Sequence, residues 1–265
     1  MKTVLFDMDG TLTEPRKNML TSMCNALSKL QKNGFVVGIV SGSDLDYIIE
    51  QCELILDIPG LDYDMLDIYP CNGTKHYKIG DYGNPVKQYE NEMKDFLIKG
   101  RYQKLVYELS NILGDLTVDP NLVESMPLTG NFINMRGSMI NFCPIGRNAS
   151  QEDRKVWCTL DNEYSIRKSI LEKLNFAFPE GDITFKLGGD TSIDIFPTGW
   201  DKTYVLKNFK DEETIWFIGD RCQKLGNDKE LYDAIKLRND GESFETLGPN
   251  KTIEIINKII LQHSV

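Results

Sequence analysis

The chain has 265 residues, a length that fits one large domain or two domains of modest size. A hydrophobic content of 41% is ordinary for a folded globular protein. The formal net charge of −10 argues against a nucleic acid or an anionic membrane surface as the main partner, although a few arginines can still dominate a pocket for an anionic small molecule.

The six cysteines and two histidines restrict the chemistry further. The cysteines show no Cys-x-x-Cys spacing, so they predict scattered reduced thiols of a cytoplasmic protein, not a disulfide framework or a zinc site. The apolar run after Lys2 is too short for a signal peptide, and no stretch reaches the length that spans a bilayer. We interpret His76 and His263 as ordinary surface residues and expect acid–base chemistry to rest on carboxylates.

The first eleven residues carry the strongest chemical signal. An apolar run at residues 4–6 predicts a short buried strand, and Asp7 and Asp9 follow it where that strand ends. Gly10 permits a sharp turn there. Open α/β sheets place active sites at the carboxyl ends of parallel strands, where two carboxylates can share a metal ion or a phosphoryl group. The alternative is a solvated acidic turn, which we disfavour because the acids directly follow a hydrophobic strand.

The next part of the chain alternates between helix-like and strand-like patterns. The predicted elements are a helix over residues 18–33, a strand over 35–40, a helix over 45–52 and a short strand over 68–70. This alternation is typical of a parallel sheet that is covered by helices.

The pattern of predicted helices and strands changes near residue 80. Glycine and proline residues between positions 80 and 85 predict a linker. The elements after it are a helix over 90–113, strands over 132–135 and 139–142, a helix over 151–175 with a capping box at Ser150 and Asp153, and strands over 183–187 and 192–196. We therefore predict an inserted domain at residues 85–197, within a core domain of residues 1–84 and 198–265.

The alternation of helices and strands that is typical of a parallel sheet returns at residue 201. The predicted elements are a short helix over 202–209, a strongly apolar strand over 214–218, a helix over 228–234, a strand over 235–237 and a helix over 252–261. Chemically suspicious residues now follow several strands of the predicted core sheet or lie at its return: Asp7, Asp9, Ser41, Lys202, Asp220, Asn227 and Asp228. Gathered at one sheet edge, such residues would supply a carboxylate nucleophile, ligands for a hard cation such as Mg²⁺, and hydrogen bonds to phosphate.

These residues resemble the four motifs of the haloacid dehalogenase superfamily. The resemblance implies an α/β fold, namely a Rossmann-like parallel-sheet core with an inserted α+β cap domain of type C2. It implies that Asp7 is the nucleophile and that Asp9 is the general acid/base. It also implies a Mg²⁺ site formed by Asp7, the backbone carbonyl of Asp9 and Asp220, to which Asn227 and Asp228 contribute.

Three further segments resemble the eukaryotic-type phosphomannomutase family: residues 139–154, 188–197 and 199–202. The resemblance implies a hexose phosphate substrate, a hexose 1,6-bisphosphate activator and a distal phosphate that arginine and serine side chains bind. The implied substrate-binding residues are Arg16, Ser41, Ser43, Arg136, Arg147, Arg154, Ser192, Asp194 and Lys202, with Asp194 on the sugar. The family commonly has glycine where this chain has Ser41, so whether Ser41 or Ser43 meets the phosphate stays open.

The implied activity is that of a mutase that interconverts mannose 6-phosphate and mannose 1-phosphate through an aspartyl-phosphate. A cytoplasmic homodimer in the supply of GDP-mannose is implied as well. The alternatives are a sugar-phosphate phosphatase, which needs no clamp for a distal phosphate, and a non-catalytic binder. For the arginines, the alternative is ion pairing at the surface with Glu152, Asp153 or Glu163.

Overall fold

The computed structural model describes residues 2–57, 60–224 and 226–263, with only the backbone described at residues 56 and 57. The chain divides into two compact units. We call Met1–Glu90 together with Gly199–Val265 the core unit, and Asn91–Thr198 the inserted unit. The predicted boundaries lie after residues 84 and 197, whereas the two units divide after residues 90 and 198. Residues 85–90 form an edge strand of the core sheet.

The core unit consists of alternating strands and helices and one β-hairpin, with elements numbered in chain order. Its strands are β1 (Lys2–Phe6), β2 (Phe35–Val40), β3 (Leu66–Tyr69), β4 (Lys75–Ile79), β5 (Pro85–Glu90), β10 (Thr214–Gly219) and β11 (Gly241–Glu245). Its α-helices are α1 (Thr21–Lys32), α2 (Leu45–Asp57), α7 (Lys229–Lys236) and α8 (Pro249–His263). Short 3₁₀ helices span Tyr63–Met65, Cys71–Gly73, Asp81–Gly83 and Lys202–Asn208.

The seven core strands form one sheet in the order β11-β10-β1-β2-β3-β4-β5. The five strands from β11 to β3 are parallel to one another. Strand β4 is antiparallel to both of its neighbours, β3 and β5. Successive side chains of β1 point to opposite faces: Val4 and Phe6 pack with residues of α1 and α8, whereas Leu5 packs with residues of α7. Because helices cover both faces, residues 4–6 of β1 form an unbroken apolar run, as strands of buried parallel sheets do.

The inserted unit has an antiparallel sheet and four helices. Its strands are β6 (Ile133–Met135), β7 (Ile140–Phe142), β8 (Ile183–Gly188) and β9 (Ser192–Pro197), in the order β6-β7-β9-β8. Its helices are α3 (Met93–Phe96), α4 (Arg101–Val118), α5 (Gln151–Tyr164) and α6 (Ile166–Ala177). Trp157 is fully buried in the core of this unit. The predicted fold class, a parallel-sheet α/β core with an α+β insertion, is confirmed.

Four local predictions are wrong for identifiable reasons. The supposed linker at residues 80–85 is the turn between β4 and β5. Residues 235–236 end α7 instead of forming a strand, because Ile235 lies four residues after Leu231 on the buried face of that helix. The helix predicted over 90–113 is interrupted at Gly100, and the helix predicted over 151–175 is interrupted at Ser165, both of which have positive φ.

His76 is not the surface residue that we expected. Its Nε2 atom lies 2.7 Å from Oδ1 of Asp67, and its ring stacks on Tyr69 with 4.5 Å between centroids. The pairing of β4 with β3 brings these groups together, which sequence spacing could not reveal. His263 is also half-buried, with its ring beside Trp216. Among the described helices, none combines the length and the apolar character that a membrane span needs.

The capping box predicted at the start of α5 is confirmed. The Ser150 hydroxyl accepts a hydrogen bond from the Asp153 N–H at 3.1 Å, and Oδ2 of Asp153 accepts one from the Ser150 N–H at 2.9 Å.

We predict that Ser150→Ala lowers the free energy of unfolding of the inserted unit by about 1 kcal/mol, because a helix N–H loses its partner. Denaturant titration should show this loss, whereas Ser150→Thr should stay close to wild type. Equal stability of the alanine and threonine variants would contradict the role of the cap.

Candidate active site

Polar residues follow neighbouring parallel strands at one edge of the core sheet. Asp7 follows β1, Ser41 follows β2 and Asp220 follows β10. The Asp7 N–H donates to the carbonyl of Ile218 at 2.9 Å, which extends the β1–β10 ladder by one residue. Since the carboxyl ends of these strands lie side by side, the edge is where an open α/β sheet forms its functional sites.

Three carboxylates at this edge surround one buried ammonium group. The Lys202 side chain is fully buried, and its Nζ donates to Oδ1 of Asp7 and to Oδ1 of Asp228. Lys202 begins a 3₁₀ helix whose first turn is capped by Asp201. One carboxylate oxygen each from Asp7, Asp220 and Asp228 lies within 4.8 Å of the others. This arrangement suits a hard divalent cation, which prefers oxygen ligands.

The crowding of carboxylates changes their proton affinities. Burial raises the pKa of Asp7 well above its ordinary value, Asp228 adds to the rise, and Lys202 opposes it. Burial, and then the charge of Asp228, raise the pKa of Asp220 to about 6. Although burial acts in the opposite direction, Asp228 and Asp7 raise the pKa of Lys202 above its ordinary value, so the lysine stays charged at neutral pH. Excess negative charge beside one lysine is what a bound cation would offset.

The turn after β1 determines where Asp220 can lie. Gly10 has φ of 85°, and a β-carbon at this position would lie 2.2 Å from Oδ2 of Asp220. The N–H groups of residues 11–13 all donate to the carbonyl of Met8, which tightens the turn. The Thr11 hydroxyl is buried in this turn and has no hydrogen-bond partner among the described residues. Only glycine at position 10 lets the Asp220 carboxylate approach so closely.

Asp9 stands apart from the three-carboxylate cluster. Its Oδ1 atom accepts hydrogen bonds from the Tyr47 hydroxyl and from the Arg16 N–H, both at 3.1 Å. Arg16 has φ of 63°, a left-handed conformation that is uncommon outside glycine. Tyr47 is not predictable from the sequence, because nothing in the spacing of α2 indicates that its first turn reaches the loop after β1.

Ser41 and Ser43 lie in a loop that a second loop supports. The Ser41 hydroxyl is buried and accepts from the Ser43 N–H at 3.1 Å. The carbonyls of Ser41 and Ser43 accept from the N–H groups of Asn72 and Cys71, at 2.8 and 2.9 Å. Residues 71–73 all have positive φ, which for Cys71 and Asn72 is strained. The Asn-Gly pair at residues 72 and 73 is typical of a turn, but nothing in the sequence indicates that this turn supports the serine loop.

Asn227 and Asp228 lie before α7. Oδ2 of Asp228 accepts from the Arg221 N–H at 3.0 Å, while its other oxygen contacts Lys202. Asn227 is half-buried beside it. Asn227 is therefore next in sequence to Asp228 of the carboxylate cluster. Its part in metal binding stays a prediction.

A second polar cluster lies in the inserted unit around Asn141 on β7. The Asn141 amide nitrogen donates to Oδ1 of Asp194 at 2.6 Å and to the Ser192 hydroxyl at 2.9 Å. Its amide oxygen accepts from Nη1 of Arg147 at 3.1 Å. The pairing of β7 with β9 places Asn141 opposite Asp194. Asn141 is not among the predicted site residues, although a polar residue between the buried Ile140 and Phe142 is a signal for one.

The other two predicted arginines of the inserted unit are Arg154 and Arg136. Nη1 of Arg154 donates to the Thr191 hydroxyl at 2.9 Å, and its Nε donates to the carbonyl of Ala149 at 3.2 Å. Asp153, an expected ion-pair alternative, is engaged in the capping box. Arg136 is buried at the β6–β7 turn. The structure thus places Arg147, Ser192 and Asp194 in one cluster and Arg154 beside Thr191 in the loop before β9.

Comparison with known proteins identifies relatives over nearly the whole chain. The sequence model of the eukaryotic phosphomannomutase family matches residues 23–262. A phosphomannomutase from Dendrobium officinale is 37% identical over 232 residues, which cover 87% of this chain and 84% of that protein. A phosphomannomutase from Saccharomyces cerevisiae is 34% identical over 259 residues, which cover 97% and 93%. An N-terminally truncated IMP-nucleotidase from Plasmodium falciparum shares the fold, with a TM-score of 0.65 and 15% identity over 100% of this chain and 71% of that one.

The raised pKa of Asp220 generates a prediction that links pH, metal and stability. Because the folded state binds this proton more tightly than the unfolded state, Asp220 lowers stability as pH rises from about 4 to about 6. Without divalent cations, Asp220→Asn should remove that decline and stabilise the protein at pH 7 by up to about 3 kcal/mol, at about 1.4 kcal/mol per pKa unit.

We also expect Mg²⁺ to raise the Tm of the wild type but not that of this variant, which lacks one predicted ligand. Thermal unfolding at pH 4, 6 and 7, with and without Mg²⁺, measures both effects. Asp211→Asn, which changes an exposed carboxylate of the same unit, serves as the control. A variant that is less stable without the metal, or that is still stabilised by it, would contradict the assignment.

Proposed function

The chain belongs to the eukaryotic phosphomannomutase family, and on this premise we propose that it interconverts mannose 6-phosphate and mannose 1-phosphate. It is an enzyme of the phosphohexomutase kind. The observation that carries the proposal is the presence of two different polar clusters. One is rich in carboxylates around Lys202, and the other joins Arg147 to Asp194 through Asn141.

In the core unit, the proposed chemistry is phosphoryl transfer to Asp7. A carboxylate oxygen of Asp7 forms a bond to phosphorus while the bond between phosphorus and the sugar oxygen breaks. Asp9 gives a proton to the departing sugar oxygen, and in the reverse step it takes a proton from the sugar hydroxyl that attacks. Lys202 offsets the charge beside the phosphoryl group, and a hydroxyl of Ser41 or Ser43 donates to a phosphate oxygen.

The residues proposed to hold Mg²⁺ are Asp7, Asp220 and Asp228, with the backbone carbonyl of Asp9 and the side chain of Asn227. When bound, the cation neutralises negative charge that develops on the phosphoryl group. The fit rests on three carboxylate oxygens within 4.8 Å of one another. Burial and the charge of Asp228 raise the pKa of Asp220, and a bound cation would offset the excess negative charge. These residues are oxygen donors throughout, as Mg²⁺ requires.

In the inserted unit, the proposed role is recognition of the phosphate that does not react. A mutase must accept its bisphosphate intermediate in two orientations, so it needs a site for the second phosphate. Arg136, Arg147, Arg154 and Ser192 are proposed for that phosphate and Asp194 for sugar hydroxyls, while Arg16 is the proposed substrate contact of the core unit. Guanidinium groups suit this task because their fork of N–H donors matches phosphate oxygens.

Further proposals concern the setting of the enzyme. Six free thiols fit a reducing cytoplasm. Membership of the family supports a homodimer that assembles through the inserted unit, and a role in the supply of GDP-mannose. The phosphatase alternative draws on solved structures such as the IMP-nucleotidase, which share only the fold at 15% identity, so the mutase is favoured.

The decisive experiment follows the phosphorus atom. With Mg²⁺ and a hexose 1,6-bisphosphate, phosphorus NMR should show mannose 1-phosphate turning into mannose 6-phosphate. The Asp7→Asn variant, which lacks the nucleophilic oxygen, should show no turnover. Steady release of inorganic phosphate without mannose 6-phosphate would establish a phosphatase instead, and turnover by the Asp7 variant would exclude an aspartyl-phosphate.

The role of the inserted unit is tested at Arg147. We predict that Arg147→Ala lowers kcat/KM for the bisphosphate by about a hundredfold, because a charged hydrogen-bond partner of phosphate contributes about 1.5 to 3 kcal/mol. Hydrolysis of a small ester such as p-nitrophenyl phosphate, which has no second phosphate, should change little. Lys155→Ala removes an exposed cation from the same unit and serves as the matched control. Equal losses on both substrates would contradict a clamp for the second phosphate.

A further inference from the structure

The Asp9 carboxylate is held by one of its two oxygens. Oδ1 accepts from the Tyr47 hydroxyl and from the Arg16 N–H, each at 3.1 Å. Within the described part of the chain, no hydrogen bond reaches Oδ2. Two donors on one oxygen restrict rotation of the carboxylate about its last bond, and they leave the other oxygen available for a ligand.

The two donors differ in what holds them. The Arg16 N–H belongs to the backbone and comes from a left-handed residue in an exposed turn. Tyr47 lies in the first turn of α2, where its own N–H is bound by Oδ1 of Asp44 at 3.2 Å, and its ring packs against the core cluster. The phenol is therefore positioned by helix and core, independently of the bond that it donates to Asp9.

We propose that Tyr47 is a positioning residue for Asp9. Its hydroxyl fixes Oδ1, so that Oδ2 carries the proton to and from the sugar oxygen. This inference rests on the proposed function, because it assumes that Asp9 serves as the general acid and base. In the forward step the Asp7 oxygen bonds to phosphorus, the electron pair of the broken bond goes to the sugar oxygen, and that oxygen takes the proton from Oδ2.

A positioning role for Tyr47 and a general packing role predict different rates with different phosphate donors. A sugar alcohol is a poor leaving group, so its departure needs the proton from a correctly oriented Asp9. The p-nitrophenolate anion leaves without a proton. Loss of orientation should therefore slow transfer from a sugar phosphate and spare transfer from p-nitrophenyl phosphate, whereas a displaced Asp7 would slow both.

The test compares Tyr47→Phe with wild type in the full chain. Quenched-flow measurement of enzyme phosphorylation with glucose 1,6-bisphosphate should give a rate lower by about tenfold to a hundredfold, the scale on which small misplacements act. With p-nitrophenyl phosphate the rate should change less than about twofold by the same reasoning. In an Asp9→Asn background, Tyr47→Phe should add no further loss, since both act through one proton transfer.

Tyr77→Phe is the matched control, because Tyr77 also donates its phenol to a carboxylate, that of Glu90, in the β4–β5 hairpin. It should leave the ratio of the two rates unchanged. Equal losses with both phosphate donors, or no loss with the bisphosphate, would overturn the role of Tyr47. Failure of the proposed mutase would look different: phosphorylation would proceed, but the phosphoryl group would pass to water instead of to mannose phosphate.

Discussion

The buried ammonium group of Lys202 is the interaction on which the core unit depends. It bonds both Asp7 and Asp228 in a place that solvent does not reach. A buried charge without partners is strongly unfavourable, so neither the lysine nor the acids can be removed alone without exposing the others to that penalty. The ion pair of Lys202 with Asp7 joins residues that are 195 positions apart. The arrangement of charged groups at the strand ends therefore exists only when both halves of the core unit have assembled.

The two polar clusters differ in charge. The cluster of the core unit concentrates negative charge around Lys202, which suits a divalent cation. The inserted unit aligns Arg147 and the neighbouring polar groups through one amide, Asn141, which satisfies a donor and two acceptors at once. An overall charge of −10 is therefore compatible with phosphate recognition, because local geometry and not the sum of charges determines the potential at each site.

Strand order made part of the site predictable from the sequence. Asp7 and Asp220 follow apolar runs of the chain, and parallel strands bring such ends together. The Ser150 cap was predictable because its partners lie three residues apart. Tyr47, Asn72 and Asn141 were not, since their contacts depend on loop conformation and sheet register, which short-range patterns do not encode. The supposed linker at residues 80–85 shows the same limit, because glycine and proline indicate a turn without indicating whether a domain ends there.

The position of β1 between β10 and β2 has a consequence for synthesis on the ribosome. β1 is made before residues 214–219, which form its neighbour on one side. Until that segment emerges, the nascent β1 keeps a row of unpaired N–H and C=O groups at this edge. Residues 91–198, in contrast, contain their own hydrophobic cluster and a sheet whose four strands all come from this segment, so they can assemble earlier. The row of strand ends that carries Asp7 can therefore form only after residues 214–219 have been translated.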